Sequence, residues 1–260
     1  MSGPVGTRKV LVTGGGTGIG RAVAERLLRE GAQVVLTGRR AHVLEDVARE
    51  YPGRAFALPC DLSSPEAREG LLGRAATLLC GLDGWVHSAG QAVHQSPGHI
   101  DEAALRSQLE VNLVAPLRLG EQALEVLERG GAMVFVASTL AVRPIVTSAV
   151  YSAAKAGLLQ VMRVLALAGA PRQVRANAVL PGVVDTEMVR APRLEPGEAP
   201  LSATERAARV AAQLDGLRAL HPLGRLGSPG DVAAAVHQLL GASWATGTEL
   251  VLDGGLLLRE

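Results

Sequence analysis

Aromatic side chains are scarce in this 260-residue sequence, where two tryptophans, two tyrosines and two phenylalanines make up 2% of the chain. We therefore expect no substrate pocket built on aromatic stacking. Cysteine is equally scarce. Cys60 and Cys80 form no CxxC pair and have no metal-ligand spacing, which favours free thiols in a reducing cytoplasm over a disulfide or a metal site.

Long runs of one residue class are also missing. No unbroken apolar run reaches the ~18 residues of a membrane helix, and no run of five basic residues appears in a chain of net charge +1. The opening stretch MSGPVGTRKVLVTGGG contains no apolar core of a signal peptide. We therefore expect a cytoplasmic protein that binds neither a membrane nor nucleic acid.

What the sequence does have is an alternation of short β-branched runs with longer helical patterns, at 48% apolar residues. The predicted strands are 9–13, 33–37, 55–58, 85–88, 132–137, 174–179 and 248–252. The predicted helices are 18–30, 41–50, 65–79, 101–129, 150–168, 202–219 and 229–240. Strands separated by helices need parallel crossovers. The pattern therefore predicts an α/β fold in a single domain over 1–260, with a doubly wound parallel sheet of seven strands and helices on both faces.

A proline-rich segment, 186–203, lies between the sixth predicted strand and a late helix. Long irregular segments inside a compact domain are usually functional. The helix that follows carries Val210, Leu214 and Leu217 on one face. We predict that about 187–220 forms a lid over a substrate.

The stretch TGGGTGIG, at 13–20, directly follows the first strand and opens the first helix. Glycines permit a tight turn and a close backbone approach, and the helix N-terminus offers free N–H groups to a pyrophosphate. The spacing of Gly14, Gly18 and Gly20 differs from the common G-x-G-x-x-G pattern. Its place between a strand and a helix predicts a dinucleotide phosphate site.

The stretch YSAAK, at 151–155, holds two rare residues. Besides Lys155 the chain has only Lys9, against 24 arginines, and Tyr151 is one of two tyrosines. Positions i and i+4 share a helix face, so the ammonium should lie near the phenol and lower its pKa from the usual ~10. The pair is a candidate proton donor and acceptor; taken alone, a solvated Tyr–Lys pair is the alternative.

Two further polar residues occupy unusual places. Ser138 follows the fifth predicted strand at its carboxyl end, the edge where open α/β sheets place their sites. Asn112 lies inside a predicted helix, where asparagine is a poor helix former. A helix cap for Ser138 and a lone polar core residue for Asn112 are the alternatives when each is considered singly.

Together these residues resemble the short-chain dehydrogenase/reductase family over nearly the whole chain. The glycine turn is similar to the family's TGxxxGIG. Tyr151 and Lys155 match its YxxxK, with Ser138 thirteen positions earlier, and Asn112 matches the helix asparagine of its tetrad. The stretches LPGVVDT (180–186), HPLGRLGSPGDVA (221–233) and ATGTELVLDGG (245–255) resemble its later signatures. The family's NNAG is replaced here by His87-Ser88-Ala89-Gly90, and we expect His87 to be structural.

The resemblance implies a Rossmann fold and a set of site residues. The implied catalytic residues are Asn112, Ser138, Tyr151 and Lys155. The implied cofactor-binding residues are Gly14, Thr17, Gly18, Ile19, Gly20, Arg39, Arg40, Asp61, Leu62, Ala89, Gly90, Tyr151, Lys155, Pro181, Gly182, Val184 and Thr186. In the implied reaction, hydride passes from NAD(P)H to a carbonyl carbon. Ser138 binds the carbonyl oxygen, Tyr151 donates the proton, Lys155 holds the nicotinamide ribose, and Asn112 positions a water.

The end of the second predicted strand bears on the choice of cofactor. NAD enzymes of this fold place an acid there for the ribose 2′-hydroxyl, but this chain has Gly38 followed by Arg39 and Arg40. An arginine fork can bind a 2′-phosphate. We predict that NADP(H) is preferred and NAD(H) possible; the alternative is that both arginines only cap a surface turn. Asp61 is expected to meet the adenine with either cofactor.

The substrate is expected to be a small-molecule ketone or secondary alcohol. One candidate is a 3-oxoacyl thioester, with Arg129 and Arg172 presented to an acyl carrier protein, although ordinary charge at helix C-termini explains both residues equally well. A sugar, a steroid and a secondary-metabolite ketone are alternatives. A non-catalytic dinucleotide-binding regulator is the alternative of another class. The resemblance also implies a homotetramer built on the two long central helices and the C-terminal strand.

Overall fold

The computed structural model describes residues 8–192 and 201–259, and its centre is one seven-stranded sheet. The strands are β1 (Lys9–Thr13), β2 (Gln33–Thr37), β3 (Ala55–Ala57), β4 (Gly84–His87), β5 (Ala132–Val136), β6 (Arg175–Pro181) and β7 (Glu249–Leu252). Their order is β3-β2-β1-β4-β5-β6-β7, and every neighbouring pair is parallel. The predicted α/β fold with seven parallel strands is confirmed.

Helices cover both faces of the sheet. They are α1 (Gly18–Arg29), α2 (Ala41–Glu50), α3 (Pro65–Arg68), α4 (Leu71–Leu79), α5 (Glu102–Leu109), α6 (Ala115–Val126), α7 (Ala149–Gly169), α8 (Glu187–Arg190), α9 (Ala203–Ala219) and α10 (Pro229–Gly241). A π turn, Glu110–Val114, joins α5 to α6, and 3₁₀ turns occupy Thr139–Ala141, Ala170–Arg172 and Leu256–Leu258. The strand order reverses between β1 and β4, so the carboxyl ends of these strands form the crevice where such folds bind ligands.

The strands are apolar on both sides because each side faces a layer of helices. Leu11 of β1 and Trp85 of β4 pack in one cluster with α4, α6 and α7, whereas Val12 and Val86, their neighbours in sequence, pack in the other with α1 and α10. Trp85 is fully buried, and truncating such a side chain to alanine costs about 3–5 kcal/mol. This two-sided core fixes the strand ends that carry the site.

Two predicted helices are interrupted. The helix expected over 65–79 is two helices, because Gly70 adopts a left-handed conformation with φ 61° between them. The helix expected over 101–129 is broken by the π turn and ends at Val126. Pro116 explains the π turn. It has no N–H to give to the carbonyl of Asn112 four residues earlier, and the N–H of Ala115 instead bonds the Glu110 carbonyl, five residues back.

Among the residues that the structure describes, one helix, Ala149–Arg172, is long and apolar enough to cross a membrane, with a mean hydropathy of 1.3. It is not an unbroken apolar run, because it contains Lys155 and Arg163. Half of the stretch is buried inside the fold, and α7 packs against β6 and α6. A core helix passes the same test, so the stretch is weak evidence for a membrane.

Candidate active site

The glycine turn leaves the end of β1 in a tight loop. The N–H of Gly14 donates to the carbonyl of Thr37 at 2.8 Å, and both Gly14 and Gly18 have positive φ, at 70° and 53°. Thr17 is the N-cap of α1, but its side chain makes no capping bond. The first N–H groups of α1 therefore keep the donor capacity that a phosphate needs.

Close approach explains why glycines stand in this turn. A Cβ on Gly20 would lie 2.1 Å from the Gly14 carbonyl oxygen, and a Cβ on Gly14 would lie 2.8 Å from the Ala89 nitrogen. The turn therefore packs directly on the start of α1 and on the backbone after β4. Ile19 packs at the edge of the core between them. The backbone forms a shallow cradle, which a side chain would fill.

The two arginines after β2 are exposed, and Arg40 lies beside the glycine turn. The Arg40 guanidinium donates to the Thr17 hydroxyl at 3.5 Å and lies 3.6 Å from the Glu187 carboxylate. The backbone N–H of Cys60 donates to the Gly38 carbonyl, which brings the end of β3 to the same edge.

Asp61 lies at that edge. Hydrogen bonds from the backbone and hydroxyl of Ser63 lower the pKa of its carboxyl, and Arg39 adds a smaller effect. The side chain of Leu62, another predicted cofactor-binding residue, is buried in the core. The edge thus offers a carboxylate and two guanidinium groups.

The three central catalytic candidates meet near the carboxyl end of β5. The Ser138 hydroxyl lies close enough to the Tyr151 phenol to favour the ionised phenol by hydrogen bonding, and its oxygen accepts from the backbone N–H of Leu140 at 3.1 Å. Lys155 is buried, its Nζ donates to the Val136 carbonyl at 2.9 Å, and the same Nζ lies 5.6 Å from the centre of the Tyr151 ring. Helix α7 thus presents the phenol and the ammonium on one face, as the spacing predicted.

The electrostatics of this pair differ from the expectation. Burial raises the pKa of the Tyr151 phenol to about 12, and the hydrogen bond with Ser138 opposes that rise without cancelling it. Burial also lowers the pKa of Lys155 to about 8. The prediction that Lys155 depresses the pKa of Tyr151 below its usual value was wrong, because desolvation of the phenolate outweighs the opposing effect of Ser138, and Lys155 is not among the groups that shift this pKa. At neutral pH the phenol is a proton donor, and most Lys155 side chains are charged.

Asn112 is fully buried at the π turn. Its side-chain oxygen accepts from the N–H of Gln91 at 3.1 Å, and its Nδ2 donates to the Gln91 carbonyl at 2.7 Å. A Cβ on Gly90 would lie 2.9 Å from Asn112 Oδ1 and 3.5 Å from Lys155 Nζ, so Gly90 packs against both side chains. Asn112 therefore fixes the backbone that follows β4 and lies next to the buried lysine.

The loop after β6 closes the site from the other side. Thr186 stands over the glycine turn, with its Cγ2 3.3 Å from the place of a Cβ on Gly18. Pro181 ends β6, and the N–H of Gly182 donates to the Leu252 carbonyl of β7. Val184 is buried and bridges to Gly227. The predicted LPGVVDT stretch thus meets the glycine turn, as the predicted site requires.

His87 belongs to the core. It is fully buried, its Nδ1 lies 3.0 Å from the Thr13 hydroxyl oxygen, and its ring packs edge-on against Trp85. Burial lowers its pKa to about 3. The side chain is therefore neutral at physiological pH and fits the structural role expected for it.

Some residues of the site were missed from the sequence. Gln108 is fully buried, and its Oε1 accepts from the N–H of Val93 at 2.9 Å. It stands four residues before Asn112, a spacing that places both on one helix face and could have revealed it. His94 Nδ1 lies 2.9 Å from the hydroxyl of Ser148. Ser148 is the N-cap of α7 and stands three residues before Tyr151. These contacts position the loop after β4 beside the catalytic residues.

The residues present fit a nicotinamide dinucleotide. A pyrophosphate suits the backbone at Gly14 and Gly20 together with the start of α1. At both glycines a Cβ would collide with backbone. The cations after β2 suit the adenosine end, and the phenol with the lysine suits a reacting carbonyl and a ribose.

Comparison with known proteins agrees with this geometry. Residues 14–257 match the family model described as enoyl-(acyl carrier protein) reductase. A cis-4-hydroxycyclohexanecarboxylate dehydrogenase from Sinomonas cyclohexanicum is 36% identical over 256 residues, which are 95% of this chain and 96% of that protein. A 2,5-dichloro-2,5-cyclohexadiene-1,4-diol dehydrogenase from Sphingobium indicum is 32% identical over 257 residues, covering 95% and 96%.

A solved structure, a short-chain dehydrogenase/reductase described as glucose/ribitol dehydrogenase from Brucella melitensis, aligns with a TM-score of 0.84 at 28% identity. The alignment covers 96% of each chain. The chain therefore belongs to the short-chain dehydrogenase/reductase family of NAD(P)(H)-dependent oxidoreductases.

Proposed function

We propose that this protein interconverts a ketone and a secondary alcohol by hydride transfer, with Tyr151 as the acid and base and NADP(H) as the preferred cofactor. The observation that carries the proposal is the meeting of Ser138, Tyr151 and Lys155 at the edge of the sheet that also holds the glycine turn. A regulator that only bound a dinucleotide would not need a proton donor there.

The bound cofactor supplies or accepts the hydride. In the reducing direction, the Ser138 hydroxyl donates a hydrogen bond to the carbonyl oxygen, and the Tyr151 phenol gives its proton to that oxygen as the alcohol forms. The charged Lys155 stabilises the phenolate that remains and binds the ribose. The proton returns to Tyr151 through Lys155 from a water that Asn112 positions at the π turn, where Pro116 leaves the Asn112 carbonyl without its α-helical donor and free to bind that water.

The substrate class that we propose is an alicyclic ketone or alcohol. Two relatives are named for cyclohexane and cyclohexadiene alcohols. Large apolar side chains are exposed between Ser138 and Tyr151, at Val142, Ile145 and Val146, and in the loop after β4, at Val93. Since stacking rings are scarce, an aliphatic ring packed on branched side chains is the better match.

For the thioester alternative, the expected acyl carrier protein partner rested on Arg129 and Arg172. The Arg172 guanidinium donates to the carbonyls of Leu124 and Leu127 at the end of α6, and Arg129 Nη1 donates to the Pro171 carbonyl at 3.5 Å. Each arginine thus caps the neighbouring helix end. This favours the helix-end role over presentation to an acyl carrier protein.

The test is oxidation of NADPH and NADH at 340 nm with a panel of a substituted cyclohexanone, an acetoacetyl thioester, a ketose and a steroid ketone. We expect turnover with the cyclohexanone. No turnover with any ketone, together with tight NADPH binding, would support the regulator instead. Preference for the thioester would restore the acyl-carrier alternative.

The cofactor preference gives a prediction at the β2 turn. Arg39→Ala and Arg40→Ala are each expected to lower kcat/KM with NADPH by roughly 10- to 100-fold, the loss of one hydrogen bond to a charged group. Efficiency with NADH should stay within about twofold, because its ribose lacks the phosphate. Arg49→Ala, an exposed arginine of α2 paired with Asp46, is the matched control. Equal efficiency with both cofactors in the wild type would contradict this assignment.

The lid expected over about 187–220 contains α8 and α9, while its residues 193–200 lie outside the described part of the chain. Along α9, only Leu214 is buried, and Val210 and Leu217 are partly buried on the same side. Gln213 reaches the Val189 carbonyl of α8 at 2.7 Å. We propose that α8 and α9 cover the substrate as one unit.

Exposed apolar residues support the homotetramer that we propose. Leu167 of α7 is 78% exposed, Trp244 is fully exposed, and Leu258 near the chain end is 87% exposed. Such side chains mark association surfaces. We expect light scattering to give four chains per particle at micromolar concentration and Leu167→Asp to give smaller particles, while Leu78→Asp, at an exposed position of α4, should not. A monomeric wild type would refute the assembly.

We also propose that the protein is cytoplasmic. Cys60 and Cys80 are both free thiols in the structure, which supports the cytoplasm as the compartment.

A further inference from the structure

His221 occupies a buried place between two parts of the proposed site. It follows α9 by two residues and is 3% exposed. Its Nδ1 lies 2.9 Å from the carbonyl oxygen of Leu217, in the last turn of α9. Its Nε2 lies 3.2 Å from the backbone nitrogen of Val183, in the loop after β6. One imidazole therefore bridges the lid helix and the cofactor loop.

The two partners determine where the proton of the ring lies. The Leu217 carbonyl can only accept, so Nδ1 must carry the hydrogen, and the Val183 N–H can only donate, so Nε2 must present its lone pair. The neutral tautomer with the proton on Nδ1 satisfies both bonds. The other tautomer would break both of them.

The ring is also held by shape. A Cβ on Gly182 would lie 3.0 Å from His221 Nε2, and a Cβ on Gly254 would lie 3.5 Å from His221 Cβ. The backbone of the loop after β6 therefore packs directly against the imidazole. Helix α9 buries only Leu214, and its end is held by the His221 bond to the Leu217 carbonyl and by a bond from Arg259 to the Ala219 carbonyl.

We propose that His221 is a positioning residue that ties the end of α9 to the loop 182–186, so that the proposed lid and this predicted cofactor-binding loop keep one relative position. The inference rests on the proposed function for the identity of the cofactor. The bridge itself exists without the cofactor and can be tested without it.

Two substitutions separate the two hydrogen bonds. His221→Gln can keep an acceptor near the position of Nε2 but loses the donor to Leu217. His221→Asn can keep a donor near the position of Nδ1 but loses the acceptor for Val183. Amide hydrogen exchange of the ligand-free protein and NADPH affinity, from the change in cofactor fluorescence, are measured for both. His42→Gln, on α2, is the control.

With His221→Asn we expect faster exchange at Val183 and an NADPH Kd raised roughly five- to tenfold, the loss of about one hydrogen bond. With His221→Gln we expect the exchange rate of the Val183 amide and the NADPH Kd to stay within about twofold of wild type. Amide exchange in the last turn of α9 should become faster. Equal effects of the two variants at Val183, or faster exchange there without a change in Kd, would overturn the proposal.

A further measurement covers the case in which either variant fails to fold. Nitrogen NMR of the wild-type histidines should show His221 with its proton on Nδ1, and a proton on Nε2 would overturn the bridge. A wild-type protein that does not bind NADPH would refute the proposed function, whereas the exchange and NMR results judge His221 independently.

Discussion

Replacing Tyr151 with phenylalanine should lower kcat for carbonyl reduction by about 10²–10⁴-fold, the usual contribution of a placed proton donor. The phenol is the acid in the proposed reaction, and its raised pKa of about 12 keeps it protonated at neutral pH. NADPH affinity should stay within about twofold, because the glycine turn and the β2 arginines are unchanged. Kinetics with the best ketone and NADPH fluorescence measure the two effects separately.

The chain provides a matched control for this change. Tyr51, its other tyrosine, is the residue after the end of α2 and lies near Arg54. Tyr51→Phe should retain wild-type turnover. A Tyr151→Phe enzyme with near wild-type kcat would show that another group donates the proton, and an equal loss in both variants would point to a general effect of removing a phenol.

Replacing Lys155 with methionine should have opposite effects on activity and stability. Activity should fall by roughly 100-fold or more, as when one preorganised charge-stabilising donor is removed. The buried ammonium, in contrast, costs stability. Its pKa falls from 10.5 to about 8 on folding, and a shift of this size corresponds to about 3 kcal/mol of destabilisation at pH 7. The Val136 carbonyl loses its hydrogen-bond donor in the variant, and this loss offsets about 1 kcal/mol of the stability gained by removing the buried charge.

The pH dependence gives the sharper test. Between about pH 8 and 10.5 the unfolded chain binds more protons at this lysine than the folded protein does, so the free energy of unfolding should rise with pH in the wild type. Lys155→Met should lose that rise. Lys9→Met is the control, since Lys9 Nζ is exposed and bonds the Cys80 carbonyl. Denaturant titrations at pH 7 and pH 10 measure the free energy of unfolding of the three proteins. If this free energy rises with pH as steeply in Lys155→Met as in the wild type, Lys155 is not the group responsible for the rise.

The fold was predictable from the sequence because the signals that fix it are local and repeated. Strands buried on both faces are continuous apolar runs, and the helices between them show a 3.6-residue period. All seven strands were placed within two residues of their ends. The breaks at Gly70 and at the π turn were missed because their causes, a left-handed glycine and the missing N–H of Pro116, act at single positions and leave the apolar period in place.

The sequence was enough to predict which residues meet at the candidate site, but not their electrostatics. Glycine spacing and the rare Tyr–Lys pair pointed to the edge where the structure places them together. The pKa of Tyr151 was not predictable, since it depends on how much protein surrounds the phenol. Gln108 and His221 were missed for a similar reason: their partners, the backbones of Val93 and Val183, are 15 and 38 positions away in the chain.

The π turn before Pro116 acts like a one-residue insertion in a helix. An extra residue in one turn rotates all that precedes it by about 100° relative to an uninterrupted α-helix. Pro116, eight residues after Gln108, therefore sets the rotation of α5 about its own axis. That rotation determines the direction in which the Gln108 side chain points toward Val93. Restoring an ordinary helical winding would turn Gln108 away from the loop after β4 without changing any residue that contacts that loop.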